Sequence, residues 1–104
     1  MHWYTYAAYF FGGAFFCNAI PHLVQGVSGR SFQTPFAKPP GKGLSSATVN
    51  VLWGFFNLLV AWLLLLRVGN LDLHRIEPAA ATGMGMLLML IMSARIFGPL
   101  HGGE

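Results

Sequence analysis

The sequence predicts an all-α integral membrane protein: three transmembrane helices, with a long Gly/Pro-rich interfacial loop between helices 1 and 2. Three observations carry this. First, long apolar stretches with uncharged interiors cover about 3–24, 48–66 and 78–97. A hydrocarbon core about 30 Å thick takes about 20 helical residues, the length of each stretch. Second, charged residues make up 9% of the chain, far below the roughly 25% usual in a soluble domain. Third, little chain remains outside the spans, so residues 1–104 read as a single membrane domain.

The net charge is +3. Nucleic-acid binding needs a solvated basic stripe, and six basic residues scattered around spans do not form one. Membrane lipids with anionic head groups are the expected counter-charge. The single cysteine, Cys17, lies inside the first span. It excludes an intramolecular disulfide framework and reads as a small buried hydrophobe. Met1 and His2 supply no basic n-region, the apolar run is long, and no small-x-small site follows. The first span is therefore expected to be a retained helix and not a cleaved leader.

Helix 1 begins with Trp3, Tyr4, Tyr6 and Tyr9, a composition suited to the interfacial aromatic belt. Pro21 predicts a kink or an early stop. The loop over about 26–47 carries Arg30, Lys38 and Lys42 with no acid, and Phe32 and Phe36 between them. This predicts an ordered hairpin on the head groups, with both phenylalanines dipping in and the three cations as head-group contacts. Ser45 or Ser46 caps helix 2, which runs to about Arg67, where the guanidinium snorkels to the interface. After a short turn, Pro78 stands in the first turn of helix 3, and Glu77 complements the helix dipole. Gly98-Pro99 is predicted to end that helix. Arg30, Lys38, Lys42 and Arg95 on one side outweigh Arg67 and Arg75 on the other. The positive-inside rule then predicts an outside N-terminus and a cytoplasmic C-terminus, in a cell membrane of bacterial inner type.

Projected at 100° per residue, helix 1 aligns Ala7, Phe11, Ala14, Asn18, His22 and Gln25, and helix 2 aligns Asn50, Gly54, Asn57 and Ala61. Both seams mix small and polar residues, which in lipid pack closely and hydrogen-bond across helices. Helix 3 offers Ala81 and Gly85, then Leu88, Met92 and Arg95. Gly54, Asn57, Ala61, Ala81 and Gly85 are read as helix packing or, alternatively, as a polar path. Depth brings Asn18, His22, Gln25, Asn50 and Arg95 to one level beneath the loop. These five are the candidate ligand-binding residues, since polar and ionisable groups within spans are costly and mark function. A cationic cluster without an acid suits an anionic lipid or the acidic head of an amphiphile. The competing reading is structural: amides joining helices at about 1 kcal/mol or less each.

Other motifs carry less. Met86, Met89 and Met92 form an MxxMxxM pattern; steps of three drift about 60° each on a helix, so the thioethers spread and do not converge on copper. His2, His22, His74 and His101 have no metal spacing, and no metal site is expected. Pro40–Ser45 lacks the spacing and Lys-Ser/Thr adjacency of a phosphate loop. Asp72, Glu77 and Glu104 are the only acids and lie at or beyond the span ends, so no catalytic residue is assigned and no cofactor is required. The residues predict a protein that works by assembly, as a homo-oligomer or an accessory subunit of a larger membrane complex, with an anionic amphiphile site near the cytoplasmic face. The alternatives are a homo-oligomeric channel or small-solute carrier, with Asn50 and Asn57 lining its path, and a lipid- or quinone-binding redox accessory protein.

Overall fold

Three helices long and apolar enough to cross a membrane run through the computed structural model, which describes residues 2–104. Helix α1 spans Trp3–Val27. Two short antiparallel strands, β1 (Phe32–Gln33) and β2 (Leu44–Ser45), pair Phe32 with Ser45 and Gln33 with Leu44. Helix α2 covers Ala47–Trp62 and runs on through a π-helical end, Leu63–Val68. Helix α3 spans Ile76–His101. The longest dimension, 41 Å, matches a bilayer about 40–45 Å thick with its head groups.

Helix α1 is the centre of the bundle. It packs along both α2 and α3, while the backbones of α2 and α3 scarcely approach each other. Glycines permit the close contacts. A Cβ on Gly85 would overlap the Phe10 carbonyl oxygen, and one on Gly13 the Thr82 carbonyl oxygen, so α3 meets α1 backbone to backbone. Across the other face, a Cβ on Gly54 would lie 2.7 Å from the Leu23 side chain, and one on Gly26 2.7 Å from the Ala47 carbonyl oxygen. Without a hydrophobic force between helices in lipid, such close van der Waals packing is what holds them. Ala81 is half-buried, and Ala61 is fully buried.

The helix ends depart from the sequence expectations at both prolines. Pro21 neither stops α1 nor shortens it; the helix continues to Val27 because His22 and Gly26 are buried beyond it. There Gly29, at φ +78°, closes a Schellman motif: Arg30 N–H donates to Gln25 C=O at 2.9 Å and Gly29 N–H to Gly26 C=O at 3.0 Å. Gly98-Pro99 does not end α3, which runs to His101 and is closed by Gly102 in the left-handed region. Phe97 and His101 pack on the hairpin, and those contacts hold the last turn despite the missing proline N–H.

Ser46, not Ser45, caps α2, accepting from Val49 N–H at 3.2 Å. The loop is an ordered hairpin, but its phenylalanines differ. Phe36 is exposed, whereas Phe32 is 6% exposed and turns into the bundle. Tyr9 likewise leaves the aromatic belt: it is buried, and its hydroxyl accepts from Asn70 N–H at 3.1 Å.

The close α1–α3 approach makes a direct prediction. Gly85→Leu should lower stability in detergent by about 1–3 kcal/mol through overpacking. Gly83→Ala, which points into open space, should leave it unchanged or raise it by up to about 1 kcal/mol. Thermal unfolding followed by circular dichroism compares the two; equal stability of both variants contradicts the packing.

Candidate functional site

Asn50 lies at the start of α2 and is completely buried. Its Nδ2 donates toward the carbonyls of Phe32 (3.1 Å), Ser45 (3.2 Å) and Ser46 (3.1 Å), tying both hairpin strands to the helix. That direction leaves Oδ1 as the acceptor facing His22 Nδ1 at 2.8 Å, so Nδ1 carries the proton. The His22 ring, 2% exposed, sits among aromatic neighbours: ring centroids lie 5.5 Å away for Phe32, 6.4 Å for Trp53 and 6.5 Å for Phe97. One turn earlier, Asn18 Nδ2 donates to Asn57 Oδ1 at 3.0 Å, and Asn57 Nδ2 donates to the Trp53 carbonyl at 2.8 Å.

The hairpin is held from the other side by α3. Phe32 packs edge-on against Phe97 (4.9 Å) and stacks on His101 (5.2 Å). His101 Nε2 donates to Gln33 Oε1 at 2.8 Å. Within the loop, Thr34 Oγ1 bonds Ser45 Oγ at 2.5 Å and accepts from Phe36 N–H at 3.2 Å.

Beneath the hairpin these residues enclose a cavity of about 200 Å³, lined by Asn18, His22, Gln33, Thr34, Trp53 and Phe97, with Pro35, Gly41 and Ile96 at its edge. Asn18 also borders a larger apolar groove of about 350 Å³ between α1 and α3, floored by Phe10, Phe11, Ala14, Phe15 and Gly85 and walled by Leu88, Met89 and Met92. A half-open cavity with four polar side chains in its wall and an apolar groove thus share one residue, Asn18. Met86, Met89 and Met92 do not gather: Met89 and Met92 line the groove, and Met86 packs at Gly13.

The five candidate ligand residues do not all converge. Asn18, His22 and Asn50 come together. Gln25 turns outward and accepts from Arg30 Nε at 2.7 Å. Arg95 leaves the cluster: its side chain is 76% exposed and its Nε stands 3.9 Å from Glu104 Oε1. The inward stripe of α3 steps through Thr82, Met86, Met89, Ser93 and Phe97, all buried or half-buried, while Leu88, Met92 and Arg95 are exposed. That stripe lies about one residue around the helix from the expected line of Ala81, Gly85, Leu88, Met92 and Arg95, so the later turns of α3 present a neighbouring face inward. The cavity is therefore lined by apolar and neutral polar groups and not by the cationic cluster read from the sequence. Asn50 and Asn57 are fully buried with their amides engaged. Arg30, Lys38 and Lys42 are exposed around the hairpin.

Gln33, Thr34, Trp53, Phe97 and His101 were not among the sequence candidates. Gln33 is the loop's only side-chain amide, a signal available from composition. Nothing local marks Phe97, whose place follows from the helix crossing.

Compared with protein-family models, with curated proteins and with solved structures, the chain matches none. What fold and site define is a small multi-pass membrane protein with three candidate spans.

The Asn50 junction yields a second prediction. Asn50→Ala should free the hairpin at a cost of about 1–3 kcal/mol, because the carbonyls it satisfied stay buried. Trypsin should then cut at Arg30 and Lys42 about ten-fold faster or more, in step with the opened population. Asn57→Ala, whose bonds lie a turn deeper, should leave the loop protected. Equal loop cleavage in wild type and Asn50→Ala contradicts the junction.

Proposed function

We propose that this protein binds a single membrane amphiphile, holding the polar head beneath the hairpin and the chain along the α1–α3 groove. The observation that supports the reading is the meeting of cavity and groove at Asn18. Ligand sites combine apolar walls with a few placed polar groups, and a lipid-like molecule needs that polarity graded along one axis. Arg30, Lys38 and Lys42 stay at head-group level, where anionic lipids of the surrounding leaflet meet them. In the orientation drawn from the basic residues, the head-group cavity faces the cytoplasmic leaflet.

Assembly is the second reading. Of the other two helices, α3 packs along α1 and scarcely meets α2, and 11% of its most apolar window is buried. A second copy, or a larger membrane subunit, covers that face in this reading.

Native mass spectrometry after extraction in polymer discs tests both. Wild type should retain one amphiphile per chain, and Met92→Trp combined with Ile96→Trp, which fills exposed positions along groove and cavity, should lose it. Chains that carry nothing, or a complement unchanged by the double substitution, contradict the binding reading. A single-chain species with no co-purifying protein contradicts assembly.

A further inference from the structure

We infer that the head of the bound amphiphile is an uncharged hydroxyl group, donated to His22 Nε2; the inference rests on the amphiphile reading above and specifies its ligand.

Asn50 Nδ2 is committed to backbone carbonyls, which can only accept. Its Oδ1 must therefore accept from His22, and the imidazole proton stands on Nδ1. In the neutral ring, Nε2 then carries a lone pair. Among the described residues it has no hydrogen-bond partner, and it belongs to a ring that is 2% exposed and lines the cavity. Asn18, one turn earlier on the same helix face, spends its Nδ2 on Asn57, so its Oδ1 is a second acceptor at the cavity wall. Gln33 spends its Oε1 on His101 and retains its amide donors. The cavity therefore offers two acceptors and one donor group.

A hydroxyl suits the His22 and Gln33 part of this set: its one proton goes to His22 Nε2 and its oxygen accepts from Gln33, which leaves Asn18 Oδ1 for a second donor. A carboxylate or a fully ionised phosphate brings only acceptors, which would oppose the lone pairs of His22 and Asn18. No formal charge lines the cavity to offset the desolvation of an anion. Arg95 pairs outward with Glu104, and Arg30 with Gln25. The flanking rings of Trp53 and Phe97 accept either an aromatic alcohol, such as a hydroquinone head, or an aliphatic one, such as a diacylglycerol or a polycyclic alcohol.

The test titrates three probes of equal chain length, 4-dodecylphenol, 1-dodecanol and dodecyl phosphate, into the full chain in phosphatidylcholine nanodiscs. Fluorescence of Trp53 reports binding after Trp3→Phe and Trp62→Phe, two exposed residues outside the cavity. Both hydroxyl probes should bind about ten-fold or more tightly than dodecyl phosphate, as one hydrogen bond of about 1.4 kcal/mol requires. His22→Phe should remove that preference, and the comparison in the His22 protein stands without it should the variant fail to fold. A phenol that outbinds the alcohol assigns an aromatic head, and parity assigns an aliphatic one; both support the inference. Dodecyl phosphate that binds as tightly as the phenol overturns the inference and leaves amphiphile binding standing. No response to any probe overturns both.

Discussion

An amide buried near the start of a membrane helix has no water to satisfy it, and Asn50 resolves this entirely within the chain. Its nitrogen faces three carbonyls drawn from β1, β2 and the turn into α2, and its oxygen takes the His22 proton. Each of those carbonyls would otherwise be an unsatisfied backbone group at the edge of the apolar layer, costly in hydrocarbon. One side chain thereby holds the hairpin down, joins α1 to α2 and sets the tautomer of the only buried histidine among the described residues. The two-residue strands alone would not keep the loop in place, since isolated hairpins are marginal even in water.

The consequences spread outward from that junction. With the hairpin fixed, Phe32 turns inward and meets Phe97 and His101, and this carries α3 past Pro99 for a further half-turn. The same contacts leave a space between loop and helices that no side chain fills. Close glycine contacts bring α1 and α3 together at Gly13 and Gly85, but the bulkier Phe10, Phe11 and Phe15 hold the groove open beside them. Chamber and groove are therefore by-products of two tight junctions, one polar and one made of glycine. An amphiphile fits the pair because both of its ends find a matching surface.

Much of the architecture was legible in the sequence because lipid imposes a strong constraint on length and polarity. Uncharged stretches of about twenty residues leave little choice but spanning helices, and the Asn50–Gly54–Asn57–Ala61 period names the buried residues of α2. A serine cap was legible at Ser45 or Ser46, and the choice of Ser46 came from the structure. Helix ends were harder: local rules stop a helix at Pro21 or Gly98-Pro99, yet tertiary contacts at His22, Gly26, Phe97 and His101 carry both helices on. The α3 face was misread from Leu88 onward because the expectation alternated steps of four and three to Arg95, whereas the inward stripe runs on in steps of four through Ser93 to Phe97, which packs on Phe32 of the hairpin. The hairpin partners of the site, Gln33 and Thr34, come from long-range pairing that no local period encodes.

The central claim is that Asn50 locks His22 with its proton on Nδ1 and turns an unprotonated Nε2 toward the cavity. Nitrogen-15 NMR of protein labelled at histidine, in lipid nanodiscs, reads this directly. The account predicts one histidine with a protonated Nδ1 that is coupled to Asn50 and lost as a signature in Asn50→Ala, and an unprotonated Nε2 whose resonance moves when a hydroxyl amphiphile is added. A His22 ring protonated on Nε2 alone, or one indifferent to Asn50→Ala, would contradict it.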